Sequence, residues 1–242
     1  MNRPQGRRNI PNIMVPFGRH LVYAEGTKTE PLYVEDLRVF VSEELGVAKE
    51  DIEIVPVKMS KSQHTVDLVN YAIKDVERRK RKQELITNVW VLYDKDDYKD
   101  FDKAYRLIKE QDELDGDIEW KACWSNECFE VWVYHYFENL ETPLEREQYI
   151  KKINAFLKRN KSPKEYKKNM DGLHHFLTQY GGDIRKATQL MRNKDVDSDI
   201  KPNPSSGIYQ LAEFILAYID NKKKTLENFD KVEGDKNERH KN

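Results

Sequence analysis

The sequence predicts an α/β protein, a parallel sheet of about four strands flanked by helices with a C-terminal helical lobe. Three observations predict it. Strand-like and helix-like periodicities alternate four times before residue 140. Parallel neighbours need crossovers of the kind those helices supply. Beyond residue 140 the pattern is helical only. The expected divisions are a flexible basic arm over 1–18, an α/β domain over 19–140, the helical lobe over 141–220 and a disordered tail over 221–242.

The arm MNRPQGRRNIPN is basic and broken by proline, which suits a mobile terminus. HLVYA reads as a short buried strand. TEPLYVEDLRVFVSEELG reads as a helix, with Thr29 as its cap and Pro31 in a first turn, where a missing N–H costs nothing. IEIVPVKM is rich in β-branched residues and reads as a second strand. In HTVDLVNYAIKDVERRKRK, Val66, Val69, Ala72, Ile73 and Val76 recur at helical spacing. The third cycle is NVWVLYD with DKAYRLIKEQDEL, and the fourth is IEWKACWS with CFEVWVYHYFENL. REQYIKKINAFLKRN, DGLHHFLTQYGGDIRKATQLMRN and SGIYQLAEFILAYID then read as helices, separated by KSPKEYKKN and the PNPSSG loop. After them charges outnumber apolar groups, a composition that cannot bury enough surface to order itself.

The formal net charge is -1 although 35% of the residues are charged, so the local distribution of charge, not its total, must indicate partners. No run approaches the roughly 18 apolar residues of a membrane span, and the first residues lack the apolar core of a signal peptide. A cytoplasmic protein is expected. Cys123 and Cys128 fit no zinc or redox spacing and read as reduced core residues.

Right-handed crossovers place the C-terminal ends of parallel strands on one edge, which is where ligands bind in open α/β sheets. Glu25 follows the first strand and DKDD follows the third. Asp94 and Asp96 are two residues apart, so in an extended chain both carboxylates point the same way. Carboxylates that close repel unless a cation neutralises them, and hard oxygen ligands suit Mg²⁺ or Mn²⁺. Glu25 would complete an acidic cluster able to activate water or to stabilise charge on phosphate oxygens. Asp97 is a weaker member. The alternative is that Asp97 or Asp100 only caps the helix starting near Phe101.

In SNECFEVW, Ser125 or Asn126 is placed to cap a helix starting near Cys128, with Glu127 in its first turn. Glu130 is then either a further metal ligand or orienting group, or an exposed acid. His135 is either a helix-surface or core group, or a catalyst. Two basic runs are candidates for phosphate contacts. RRKRK at 78–82 closes a helix, where cations also oppose the dipole, and should lie away from the acidic edge. KRNKSPKEYKKN at 158–169 is either a solvated loop or, if the helical lobe folds over the acidic edge, a source of phosphate contacts from Lys164, Lys167 and Lys168 with Tyr166 stacking on a base. Lys28, close to Glu25, is a further candidate contact.

Taken in order, AEGTKTEPLYVEDL, DKD and WSNECFEVWVYHYF resemble the signature stretches of RloB-like proteins, the AbiLii type of abortive-infection component. Glu25 followed by glycine, with DKD after a later strand, is similar to the paired signature of the Toprim domain. The resemblance covers roughly residues 19 to 210. It implies a Toprim-like Rossmannoid sheet and a divalent-metal-dependent nuclease of anti-phage defence, often encoded beside an ATPase partner. It makes Glu25 a general acid, base or metal ligand, Asp94 and Asp96 the metal-binding pair, and Lys168 a stabiliser of the transition state. The family usually has proline where this chain has Glu127. A non-catalytic module that docks an ATPase or senses a nucleotide is the alternative; a purely structural subunit would leave the acidic strand ends unexplained.

Overall fold

The computed structural model of the protein describes residues 19–59, 61, 64–95, 100–194 and 202–239, with side chains up to residue 228. The chain runs β1 (Arg19–Ala24), α1 (Thr29–Leu45), β2 (Ile54–Pro56), α2 (Thr65–Arg81), β3 (Ile86–Asp94), α3 (Phe101–Leu114) and β4 (Glu119–Asn126). It continues with α4 (Glu130–His135), α5 (Arg146–Arg159), α6 (Leu173–Gln179), α7 (Ile184–Lys194), β5 (Ser205–Ser206) and α8 (Tyr209–Arg239). The first four strands are parallel, β5 is antiparallel to β4, and the order across the sheet is β2-β1-β3-β4-β5. The α/β fold read from the periodicity is therefore present.

Strand residues alternate between two cores, as a period of two requires. Leu21, Tyr23, Val89, Val91, Tyr93, Trp120 and Trp124 pack with α2 and α3 on one face. Val22, Ala24, Trp90, Leu92 and Cys123 pack on the other, with α1, α4 and apolar residues of α5 to α8. The helices after residue 146 thus share a core with the sheet. Both cysteines are buried and free, as expected. Strand β2 is short and lies at the sheet edge, where Pro56, lacking an N–H, is tolerated. On α2, Val69, Ala72 and Val76 are buried while Val66 and Ile73 remain partly exposed.

Several local expectations are corrected. Thr29 is the first residue of α1 and Lys28 holds the cap position. Strand β4 runs through Ser125 and Asn126, which pair with Ser206 and Ser205, so neither caps a helix and Glu127 precedes α4. The helix expected over 128–140 is only Glu130–His135. Asp100 does sit at the cap position of α3, but its side chain makes no capping hydrogen bond. The PNPSSG loop supplies a fifth strand. Ser125 Oγ lies 3.2 Å from Ser206 Oγ, and Gly207 N–H donates to Trp124 O at 2.6 Å. A Cβ at Gly207 would stand 2.9 Å from Ala122 O, so only glycine permits this approach. The backbone of α8 continues to Arg239, through the segment whose composition suggested disorder. The basic arm lies outside the described residues, and among the described residues no helix is long and apolar enough to cross a membrane.

Candidate active site

From β1 the chain reaches β2 by way of α1 on one face, and β3 by way of α2 on the other. The winding direction therefore reverses between β1 and β3. A crevice opens at the C-terminal ends of strands at such a reversal. Glu25 and Asp94 stand at those two ends. Glu25 N–H donates to Leu92 O at 3.0 Å, extending the ladder, and Asp94 N–H donates to Glu25 Oε2 at 3.2 Å. Residues 69 apart in sequence are thus brought to one point. Arg146, the first residue of α5, places Nη2 3.7 Å from Asp94 Oδ2. The start of α5 is fixed by Gln148 Oε1, which accepts the Glu145 N–H at 3.1 Å.

A second carboxylate group forms beside the first. The Glu130 side chain is only 1% exposed. Its Oε1 accepts the Tyr166 hydroxyl at 3.1 Å and lies 3.6 Å from Lys168 Nζ, while Oε2 is buried with no partner among the described residues. Glu30, in the first turn of α1, joins this group. Burial pushes its carboxyl up and Glu130 adds to that rise, against the pull of its own backbone amide, Lys168 and Arg146. Gly26 makes room for it: a Cβ there would stand 2.4 Å from Glu30 Oε2. Cys128 connects the two groups. Burial raises its thiol above the usual range, and both Glu130 and Asp94 raise it further.

The 160s loop does fold over the acidic edge. Thr29 Oγ1 donates to Asn169 Oδ1 at 3.0 Å and accepts the Asn169 N–H at 3.3 Å, tying the start of α1 to the end of that loop. Tyr166 is corrected in role. Its ring is buried, 1% exposed, so no face is available to a base, and burial together with Glu130 holds its hydroxyl protonated. Lys164, Lys167 and Lys168 are exposed, as is Lys28. His135 is a core residue: its Nδ1 lies 2.7 Å from Val131 O, and burial lowers its pKa to about 4. Asp96 and Asp97 lie outside the described residues.

Among the described residues no three His, Cys, Asp or Glu side chains are grouped to hold a metal ion. The pair Glu25 and Asp94 nevertheless fits Mg²⁺ or Mn²⁺, because such ions usually take one or two protein carboxylates and fill the rest of the shell with water and phosphate oxygens. Glu130 Oε2 is buried without a hydrogen-bond partner among the described residues, but Glu130 is not grouped with Glu25 and Asp94 as a third ligand. Glu30 and Arg146 escaped the sequence reading. Glu30 carried a signal, since it sits in the quoted stretch TEPLY five residues after Glu25; Arg146 carried none. A family model described as RloB-like protein matches residues 20–215. No curated protein and no solved structure matches the chain.

Proposed function

We propose that this chain, which belongs to the RloB-like protein family, is a divalent-metal-dependent nuclease that cleaves phosphodiester bonds of DNA or RNA in anti-phage defence. The observation that supports this reading most is the 3.2 Å hydrogen bond from Asp94 N–H to Glu25 Oε2 at the reversal point of the sheet. It makes one site of two acidic strand ends.

In this reading Glu25 and Asp94 hold Mg²⁺ or Mn²⁺, with Asp96 as a further ligand by its place in DKD. Such an ion supplies positive charge for phosphate oxygens and lowers the pKa of bound water. The protein's own cations stand around the carboxylates: Arg146 beside Asp94 and Lys168 beside Glu130. Placed there, they offset charge that builds on the phosphate in the transition state. Tyr166 donates to one oxygen of Glu130 and so fixes the direction in which the other faces.

The test is calorimetric titration of Mn²⁺ into the wild type, Glu25→Ala and Asp94→Ala, with cleavage of DNA and RNA followed in parallel. Because the resemblance implies an ATPase partner, cleavage is measured with and without an ATPase of the kind often encoded beside RloB-like proteins. Each variant is expected to lose metal binding and to cleave about 100-fold more slowly or worse, with its melting temperature in metal-free buffer preserved. Retained cleavage in both variants would overturn the assignment. A wild type that binds no metal would favour a docking or nucleotide-sensing module instead.

A further inference from the structure

Helix α5 begins at the acidic edge, with Arg146 against Asp94, and leads away from it. Along it Lys151, Asn154, Ala155 and Lys158 are spaced three, four and seven residues from the first, so they share one face. That face forms one wall of a groove of about 380 Å³, and the turn carrying Ser162, Lys164 and Glu165 forms the other. Asn154 holds the two walls together: its Oδ1 accepts the Tyr166 N–H at 2.7 Å and its Nδ2 donates to Tyr166 O at 3.4 Å. Tyr166 in turn reaches Glu130. The groove and the acidic edge are therefore joined through both α5 and the loop.

Charge is concentrated here. Between residues 151 and 168 there are eight Lys or Arg and one acid, Glu165, in a chain whose formal net charge is -1. Lys151, Lys158 and Lys164 are exposed, and no ion pair to another described residue is formed by any of them. Holding unpaired cations together along a groove costs repulsion that a polyanion relieves. From Lys151 to Lys158 the helix rises roughly 10.5 Å, the axial span of about three nucleotides of one strand.

We infer that this groove is the track along which a single nucleic-acid strand runs to or from the acidic edge, its phosphates contacted by Lys151, Lys158 and Lys164. The inference rests on the nuclease reading for what the strand is doing there, but its test is a binding measurement that needs no cleavage. Fluorescence anisotropy of labelled 20-nucleotide RNA and DNA, single-stranded and duplex, is recorded in EDTA at several salt concentrations. The proteins are the wild type, Lys151→Glu/Lys158→Glu, and a control with the same change of net charge on exposed positions of α2 and α3, Lys74→Glu/Lys103→Glu.

The groove variant is expected to bind single strands at least about tenfold more weakly than the control, with a log-affinity against log-salt slope shallower by about 1.4, two contacts at roughly 0.7 each. Equal affinity and slope for the groove variant and the control would overturn the inference whether or not the wild type cleaves. A loss confined to duplex would overturn the single-strand assignment. Glu25→Ala separates the two readings: unchanged binding with cleavage lost supports both, whereas unchanged cleavage removes Glu25 from the proposed metal site and leaves the track standing; a wild type that binds single strands but cleaves nothing, with or without an ATPase, sinks the nuclease reading alone.

Discussion

Residues 78–82 and residues 151–168 are alike in composition, both dense in Lys and Arg, but differ in what surrounds them. In the first, Arg78 Nε donates to Asp75 Oδ1 at 3.0 Å, Arg79 Nε to Asp75 Oδ2 at 2.8 Å, Arg79 Nη1 to Glu84 at 2.9 Å and Lys80 Nζ to Asp115 at 2.9 Å. Three of its five cations are engaged within the fold. In the second, Lys168 meets Glu130 and Arg159 meets Glu138, while Lys151, Lys158 and Lys164 stand along the groove without such partners. The same residue types are engaged by acids of the fold in one place and left without acid partners among the described residues in the other, which is where the proposed track runs. What separates the two is the supply of acids on neighbouring elements, which a run of cations does not itself reveal.

The sharpest way to break this contrast is to remove Asp75, which is buried and also accepts the Tyr23 hydroxyl at 2.9 Å. Asp75→Ala strands those partners and is expected to cost about 3 kcal/mol in urea denaturation, since losing one member of a buried pair is expensive. Affinity for nucleic acid should not change; a variant as stable as the wild type would mean the run is not structural. The same pair has a pH signature. Burial alone would raise the Asp75 carboxyl, but hydrogen bonds from Arg79, Arg78 and Tyr23 hold it below its ordinary 3.8. A carboxyl depressed on folding contributes stability that is fully present above its unfolded pKa and is lost as pH falls through the folded value. Acid unfolding below about pH 4 should therefore be less steep in Asp75→Asn than in the wild type.

A smaller effect separates the regions by salt. Raising salt from 50 to 200 mM should weaken single-strand binding about 20-fold if three phosphates are engaged at a slope of roughly 0.7 each. The melting temperature should barely move, because the buried side of the Asp75 network is little screened. Parallel responses of both would erase the distinction. The smallest change is Lys80→Ala, at about 0.5 kcal/mol, because its side chain is partly exposed where it meets Asp115 and surface pairs are weak. A loss of nucleic-acid affinity in that variant would transfer part of the binding surface to the wrong edge.

The meeting of Glu25 with Asp94 was legible because strand ends of a parallel sheet share an edge, and two carboxylates marked which ends mattered. The four strands were legible for a similar reason: unbroken apolar runs such as NVWVLYD leave no other place to be buried. Strand β5 was not, because two serines give no periodicity and their pairing depends on Gly207 approaching Ala122 and Trp124. The short α4 was misjudged because the pairing of Ser125 and Asn126 with β5 keeps the chain extended through a stretch whose composition suits a cap. Tyr166 looked like a stacking residue by its lysine neighbours; its burial follows from Asn154 and Glu130, which lie 12 and 36 residues away. Arg146 reaches Asp94 only because α5 docks on the same edge, a tertiary fact with no local trace.

The bond between Thr29 and Asn169, 140 residues apart, also sets an order of events during synthesis. A ribosome adds about 5–20 residues per second, so the acidic strand ends exist for roughly 4–15 s before residue 169 can reach them. Over that interval the nascent chain carries its carboxylates first without Arg146 and to its end without Lys168 or the complete groove, and the apolar sheet face that α8 will cover is open to water. A chain that stops just short of the 160s loop thus emerges with the acids and Arg146 but without Lys168 beside Glu130 or the far wall of the groove, and α8 is still to come.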